Sequence, residues 1–147
     1  MLKINKAFES NRKADDTLTL AFEYRQKSRQ RVRLDSGEDA GLFLPHGTVL
    51  RGGNLLLAED GRIIEVIAAL EPVSLARSDD SLSLMRACYH LGNRHIPLQI
   101  DECSVRYRYD PIFDEMVKAM GLTVAQEQTP FEPESGAYNG HSHSYDH

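Results

Sequence analysis

The sequence predicts an α+β chain with an all-β segment over residues 1–71, mixed strands and helices over 72–129, and a mobile tail over 130–147. Three observations lead to that division. Period-two apolar runs broken by glycine turns fill the first half, the pattern of half-buried strands. Beyond Glu71-Pro72, two segments with helical spacing and clear stop signals appear. After Thr129-Pro130 the residues are mostly Pro, Glu, Gly, Ser, Asn and His, with no period that could build a core.

From Thr17, the apolar residues Leu18, Leu20 and Phe22 alternate with Thr19, Ala21 and Glu23, as a strand requires. Extending that strand logic places Arg25, Lys27, Arg29, Arg31 and Arg33 on one face. Asp35-Ser36-Gly37-Glu38-Asp39 is a turn, Leu42-Phe43-Leu44 a short strand and Pro45-His46-Gly47 another turn. Val49 and Leu50 begin a strand that Gly52-Gly53-Asn54 interrupts before Leu55-Leu56-Leu57. Glu59-Asp60-Gly61-Arg62 then folds a hairpin into Ile63–Ile67.

In the second half, Val73-Ser74-Leu75 reads as a strand, and Ser78 or Asp79 caps a helix. That helix carries Leu84, Cys88 and Leu91 on one stripe, with Met85 beside them, and Gly92-Asn93 supplies the left-handed residues that end it. Ile96-Pro97-Leu98-Gln99-Ile100 is a strand, and Val105, Tyr107 and Tyr109 alternate on the next. A second helix opens with Asp110 as cap, Pro111 at its first position and the acidic pair Asp114-Glu115, and stops at Gly121. Ile112, Phe113, Met116, Val117 and Met120 form its apolar stripe, and Leu122 and Val124 start a last strand. The order β-α-β-β-α-β is that of the ferredoxin-like fold, with both helices on one face of a four-stranded sheet.

Composition narrows the function. The 147 residues include 41% hydrophobic and 27% charged residues, ordinary for a chain with a packed core. Lys and Arg total 17 against 22 Asp and Glu, a formal charge of −5 that argues against nucleic acid as a partner. No apolar run approaches the roughly 20 residues that cross a bilayer, and Met1–Lys6 lacks the apolar region of a signal peptide, so no membrane role and a cytoplasmic location are expected. Cys88 and Cys103 have no CxxC partner and read as a small hydrophobe and a turn thiol.

Histidine carries the candidate chemistry. In Tyr89-His90-Leu91-Gly92-Asn93-Arg94-His95-Ile96-Pro97, His95 stands between a helix stop and a strand, a position fixed from both sides. Neutral imidazole suits Ni(II), Zn(II), Cu(II) and related ions, ranked by the Irving–Williams order. A second set, His141, His143 and His147, closes the chain at spacings that let a loose segment offer two or three imidazoles to one ion. For a lone histidine a structural role is commoner than a ligand role. His90, in the last helical turn, is given that packing or capping role, and His46 a place in a turn. One fixed histidine per chain becomes two ligands when a symmetric dimer brings two copies of His95 to its twofold axis. Such an open site suits delivery more than storage.

The words Arg86-Ala87-Cys88-Tyr89-His90-Leu91-Gly92-Asn93-Arg94-His95 and Pro97-Leu98-Gln99-Ile100 resemble the UreE family, the nickel metallochaperones of urease assembly. Leu44-Pro45 with Gly47, Leu50-Arg51, Glu59-Asp60-Gly61 and the run from Pro130-Phe131-Glu132-Pro133 to Gly136-Ala137-Tyr138 extend the likeness along nearly the whole chain. The resemblance implies a partner-binding β domain and a ferredoxin-like domain that dimerises and binds metal. It also implies one ion at paired His95, further ligands from His141 and His143, and transfer to the urease apoprotein through accessory proteins, chiefly a GTPase. Two departures bear on capacity. Tyr109 and Pro111 stand where some members carry extra histidines, and the tail has three histidines rather than a long run. About one or two ions per dimer is then expected from roughly four to six ligands per ion. Position 46, often arginine in relatives, is His46.

Readings from other classes are a metal-dependent hydrolase using His95 with Asp101 or Glu102, and a metal-responsive regulator. The sequence lacks HExxH, G-x-S-x-G and a phosphate-binding glycine loop, so no catalytic residue is assigned. The regulator is disfavoured by the acidic balance.

Overall fold

A computed structural model of the chain describes residues 1–136. It forms two compact units, 1–69 and 70–135. The first is all-β apart from one helical turn, and the second is α+β. Among the described residues no helix is long and apolar enough to cross a membrane.

Unit one is a six-stranded sheet built from β1 (Leu2–Phe8), β2 (Asp16–Leu20), β3 (Arg29–Arg33), β4 (Asp39–Phe43), β5 (Leu55–Ala58) and β6 (Ile63–Ala68), in the order β2-β6-β5-β1-β4-β3. β1 pairs parallel to β4 and antiparallel to β5, so the first strand of the chain lies inside the sheet. Sequence reading missed it because only Leu2 and Ile4 face the core before lysines and asparagine blur the alternation. The core is almost wholly aliphatic, joining Ile4, Leu18, Leu42, Leu56, Ile64 and Val66 at essentially no exposure.

The run from Arg25 to Arg33 does not form one cationic face. After β2 the chain makes a single helical turn, α1 (Phe22–Arg25), and Arg25 becomes fully buried. Its guanidinium donates to Leu20 O at 3.0 Å and Leu50 O at 3.1 Å and lies over the Phe22 ring at 5.4 Å. Those carbonyl bonds offset part of the cost of dehydrating a cation. The predicted strand at Val49-Leu50 is instead irregular chain, pinned by Leu50 N–H donating to Arg25 O at 2.8 Å. The hairpin at residues 59–62 forms as the sequence indicates, with Gly61 at φ 92°, a value that favours glycine.

Unit two runs β7 (Leu70–Arg77), α2 (Ser81–Gly92), β8 (Gln99–Ile100), β9 (Ser104–Arg108), α3 (Pro111–Ala119) and β10 (Thr123–Pro130). Its sheet order is β10-β7-β9-β8, every neighbour antiparallel. The expected strand over 96–100 shrinks to two residues, in keeping with Pro97, which has no N–H to give a ladder. Leu84, Ala87 and Leu91 of α2 pack with Val105, Tyr107, Val117 and Leu122, while Met85 turns outward and Cys88 is half-buried.

α3 starts as its caps dictate, with Asp110 Oδ1 accepting from Ile112 N–H at 2.8 Å and Pro111 at the first position. Its stripe differs from expectation. Ile112 is 73% exposed, whereas Asp114 is buried and accepts from the Tyr107 hydroxyl at 2.7 Å. Burial, then the bond to the Asp114 carboxylate, pushes the Tyr107 phenol well above the usual tyrosine range.

The segment from Pro130, expected to be the start of a mobile tail, is held in place at least to Ser135. Phe131 is fully buried and Pro133 buried as well. Glu132 N–H donates to Gln99 Oε1 at 2.9 Å, and Glu134 N–H to Leu98 O at 2.6 Å.

Candidate metal site

Helix α2 does not end where the glycine and asparagine suggested. Gly92 completes the last turn, and Asn93 keeps right-handed angles of φ −64° and ψ −18°. Asn93 N–H donates to Tyr89 O at 3.0 Å, Arg94 N–H to Leu91 O at 3.0 Å and His95 N–H to Gly92 O at 2.9 Å. The reversal falls on His95 itself, at φ 60° the only described non-glycine residue with positive φ. Histidine is among the side chains that tolerate this region better than most, yet it still carries strain of about 1 kcal/mol or more. A strained backbone that presents an exposed imidazole is a reason to assign that residue a function.

His95 is not gathered into a complete site by its own chain. Among the described residues no group of three or more His, Cys, Asp or Glu side chains is placed to hold an ion. His90, expected to pack or cap, is exposed, and its ring meets Tyr89 edge-on at 5.1 Å. Cys88 is half-buried in the helix, and burial pushes its thiol pKa up, away from the thiolate a metal binds. Cys103 is exposed in the turn after β8, and His46 is exposed in the Pro45–Gly47 turn of unit one. His141, His143 and His147 lie outside the described residues.

Helix α2, which leads into His95, carries an exposed apolar stripe. Leu82, Met85 and Tyr89, at i, i+3 and i+7 on α2, are 46%, 59% and 66% exposed. Continued by one turn, the stripe reaches Gly92, where a Cβ would meet nothing within 4 Å. The helix thus has two apolar faces, one built into unit two and one open to solvent, which a single helix–sheet contact does not require. Spacing alone merged them; the signal that separates them is that Leu82-Met85-Tyr89 sits two positions out of register with Leu84-Ala87-Leu91, which turns it to nearly the opposite side of the helix.

The course of the chain after β10 adds a second feature that sequence reasoning did not find. Phe131 and Pro133 anchor a segment that bonds Leu98 and Gln99, so residues 131–134 lie against the stretch a few residues past His95. One aromatic and two prolines in a polar run were the available signal, and they have no period to reveal it.

Two family models match the chain. One described as UreE urease accessory protein, N-terminal domain, covers residues 3–69, and one described as UreE urease accessory protein, C-terminal domain, covers 71–147. The chain is 52% identical over 140 residues to the urease accessory protein UreE of Alkalilimnicola ehrlichii, covering 95% of this chain and 86% of that one. It is 47% identical to the protein of the same name from Citrobacter koseri, over 100% of this chain and 97% of the relative. A longer relative from Paraburkholderia xenovorans is 52% identical over 88% of this chain and 58% of its own length. Matched by both domain models and near half identical to such relatives over most of its length, the chain belongs to the UreE family of urease accessory proteins.

Proposed function

We propose that this chain is a nickel metallochaperone of urease assembly that holds Ni(II) between two copies of itself, with His95 of each as the fixed ligand. The observation that carries the reading is His95: an exposed imidazole on a left-handed residue, at the end of a helix whose outer apolar stripe has no cover among the described residues. Packing that stripe against its twofold mate removes apolar area from water and brings two copies of the following turn together. The relatives' printed name, urease accessory protein, supplies the assembly role and names no catalyst.

In this reading unit two is a ferredoxin-like domain, supported by its βαββαβ order and its fourth-first-third-second strand arrangement. It is the metal-binding and dimerising part, and unit one binds a protein partner. His141, His143 and His147 add ligands. His141 lies seven positions after Glu134, a reach of at most about 25 Å. Two imidazoles and loose additional ligands make a site of incomplete coordination, which lets an ion leave. Zn(II) and Cu(II) compete, because imidazole suits all three ions and the Irving–Williams order places Cu(II) above Ni(II). The ion passes to the urease apoprotein and its accessory proteins, chiefly the GTPase, in the cytoplasm.

Calorimetric titration of nickel into wild type, His95→Ala and a chain ending at Asn139, with mass by light scattering, tests this. The expected outcome is one tight ion per dimer in wild type, its loss in His95→Ala, and a smaller loss on truncation. An unchanged tightest site in His95→Ala would overturn the reading.

A further inference from the structure

Unit one carries a second built surface, on the outer face of β3, β4 and β1. The register sets Arg29 beside Phe43, Arg31 beside Gly41 and Gly41 beside Lys3. The alternate residues Val32, Leu42, Leu2 and Ile4 face the core, so these side chains share the solvent face. Gly41 is what shapes it. A Cβ there would come within 2.8 Å of Phe43 Cε2 and 3.0 Å of Met1 Cε, so the ring and the methionine end lie across the glycine. Phe43 remains 37% exposed and Met1 59%, with the Arg29 guanidinium 5.7 Å from the ring centre.

The charge around that ring is one-sided. Arg29 and Arg31 have no carboxylate in an ion pair among the described residues, while Arg33 reaches Asp39 Oδ1 at 3.3 Å. The other nearby acid, Glu59, accepts from Lys3 N–H at 3.1 Å. In a chain of formal charge −5, a patch with exposed Arg29, Arg31 and Lys3 is set apart from the rest. Arginines at the edge of a sheet also keep two such edges from pairing, which explains charge on β3 but not an exposed phenylalanine laid flat over a glycine. An apolar anchor with two nearby guanidiniums outside any ion pair is the composition of a protein-interface centre.

We propose that this face docks an acidic surface of a partner protein, with carboxylates on Arg29, Arg31 and Lys3 and an apolar side chain on the Phe43 and Met1 platform. Like charge excludes the same face of a second copy as occupant. Nucleic acid stacking on Phe43 is the competing class, and the chain's negative balance repels an extended polyanion. The inference rests on the reading that unit one binds a protein partner and is independent of the metal reading.

The test is fluorescence anisotropy with a short labelled peptide alternating aspartate and leucine, with a labelled oligothymidylate of equal charge as the competing probe. The peptide should bind wild type, more weakly as salt rises, and lose roughly tenfold or more in Arg29→Glu/Arg31→Glu, both positions being exposed. Gly41→Ala, which displaces the ring without changing charge, should weaken binding several-fold, with folding of each variant checked by circular dichroism. No peptide binding by wild type, equal binding by the double variant, or tighter binding of the oligothymidylate would each overturn the proposal.

Discussion

The backbone N–H of Glu134 donates to the carbonyl of Leu98, three residues beyond His95, and the bond fixes where the last described stretch of chain runs. The anchor beneath it is Phe131, fully buried in a segment with no regular structure. Truncating that ring to alanine leaves a cavity, for which core phenylalanines cost about 3–5 kcal/mol. Phe131→Ala should therefore lower the urea midpoint of unit two and raise amide exchange at Glu134. A midpoint unchanged from wild type would show that the segment contributes nothing to the core.

His95 separates backbone strain from ligand chemistry. Glycine adopts φ 60° freely, whereas alanine keeps the strain and loses the imidazole. His95→Gly should be more stable than His95→Ala by about 1 kcal/mol in chemical denaturation, with nickel affinity equally lost in both. If alanine proved the more stable, the left-handed geometry would not be a source of strain.

These two positions also show what the sequence could reveal. Local chemistry was legible wherever it acts within a few residues: the Asp110 cap with Pro111, the Gly61 hairpin and the helical phase of Leu84 and Leu91 all form. His95 stood out because a stop signal and a strand bracket it, yet which residue would turn left-handed was not legible, since Gly92 and Asn93 both suit αL better than histidine. Arg25 and β1 were missed for a different reason. A buried guanidinium is satisfied by carbonyls at Leu20 and Leu50, and β1 pairs with strands far along the chain, so neither leaves a local period.

The Tyr107–Asp114 bond places a carboxylate inside unit two with a phenol as donor. Tyr107→Phe leaves Asp114 buried without that bond and should cost about 1–3 kcal/mol, part of which Tyr107→Phe/Asp114→Leu should restore. The pH sign is set by the raised phenol. Its stabilising contribution is full below the ordinary tyrosine value of 10.0 and is lost as pH rises above it, because the unfolded phenol ionises first. Wild type should lose stability above that pH more steeply than Tyr107→Phe, as followed by urea midpoints across the alkaline range.

On unit one, Arg62 donates to both Glu38 oxygens at 2.9 Å and to Asp60 Oδ2 at 2.9 Å. The bond to Arg62 is the first cause of the lowered Glu38 pKa, and Asp60 is lowered first by the Arg62 backbone N–H. Depressed carboxylates stabilise the fold above their unfolded values, here 4.5 and 3.8, and lose that contribution as pH falls through the folded ones. Arg62→Met should therefore melt below wild type at neutral pH and converge with it in acid. The gap should be small and should shrink with added salt, because these groups lie at the surface. A gap that widened toward acid would reverse the assigned sign.

The outer stripe of α2 tests association without touching metal. Met85 and Tyr89 are more than half exposed and contribute little to the core of their own unit, so charge there should leave folding intact. In a twofold contact each substitution occurs twice, facing its own copy, and a buried unpaired carboxylate is costly unless the dimer opens. Met85→Asp/Tyr89→Asp should run as a folded monomer by light scattering. It should also lose the tight nickel ion although His95 is unaltered, because one chain then offers one fixed imidazole. A monomer that kept wild-type nickel affinity would place the site within a single chain, and a dimer that survived both charges would move the contact elsewhere.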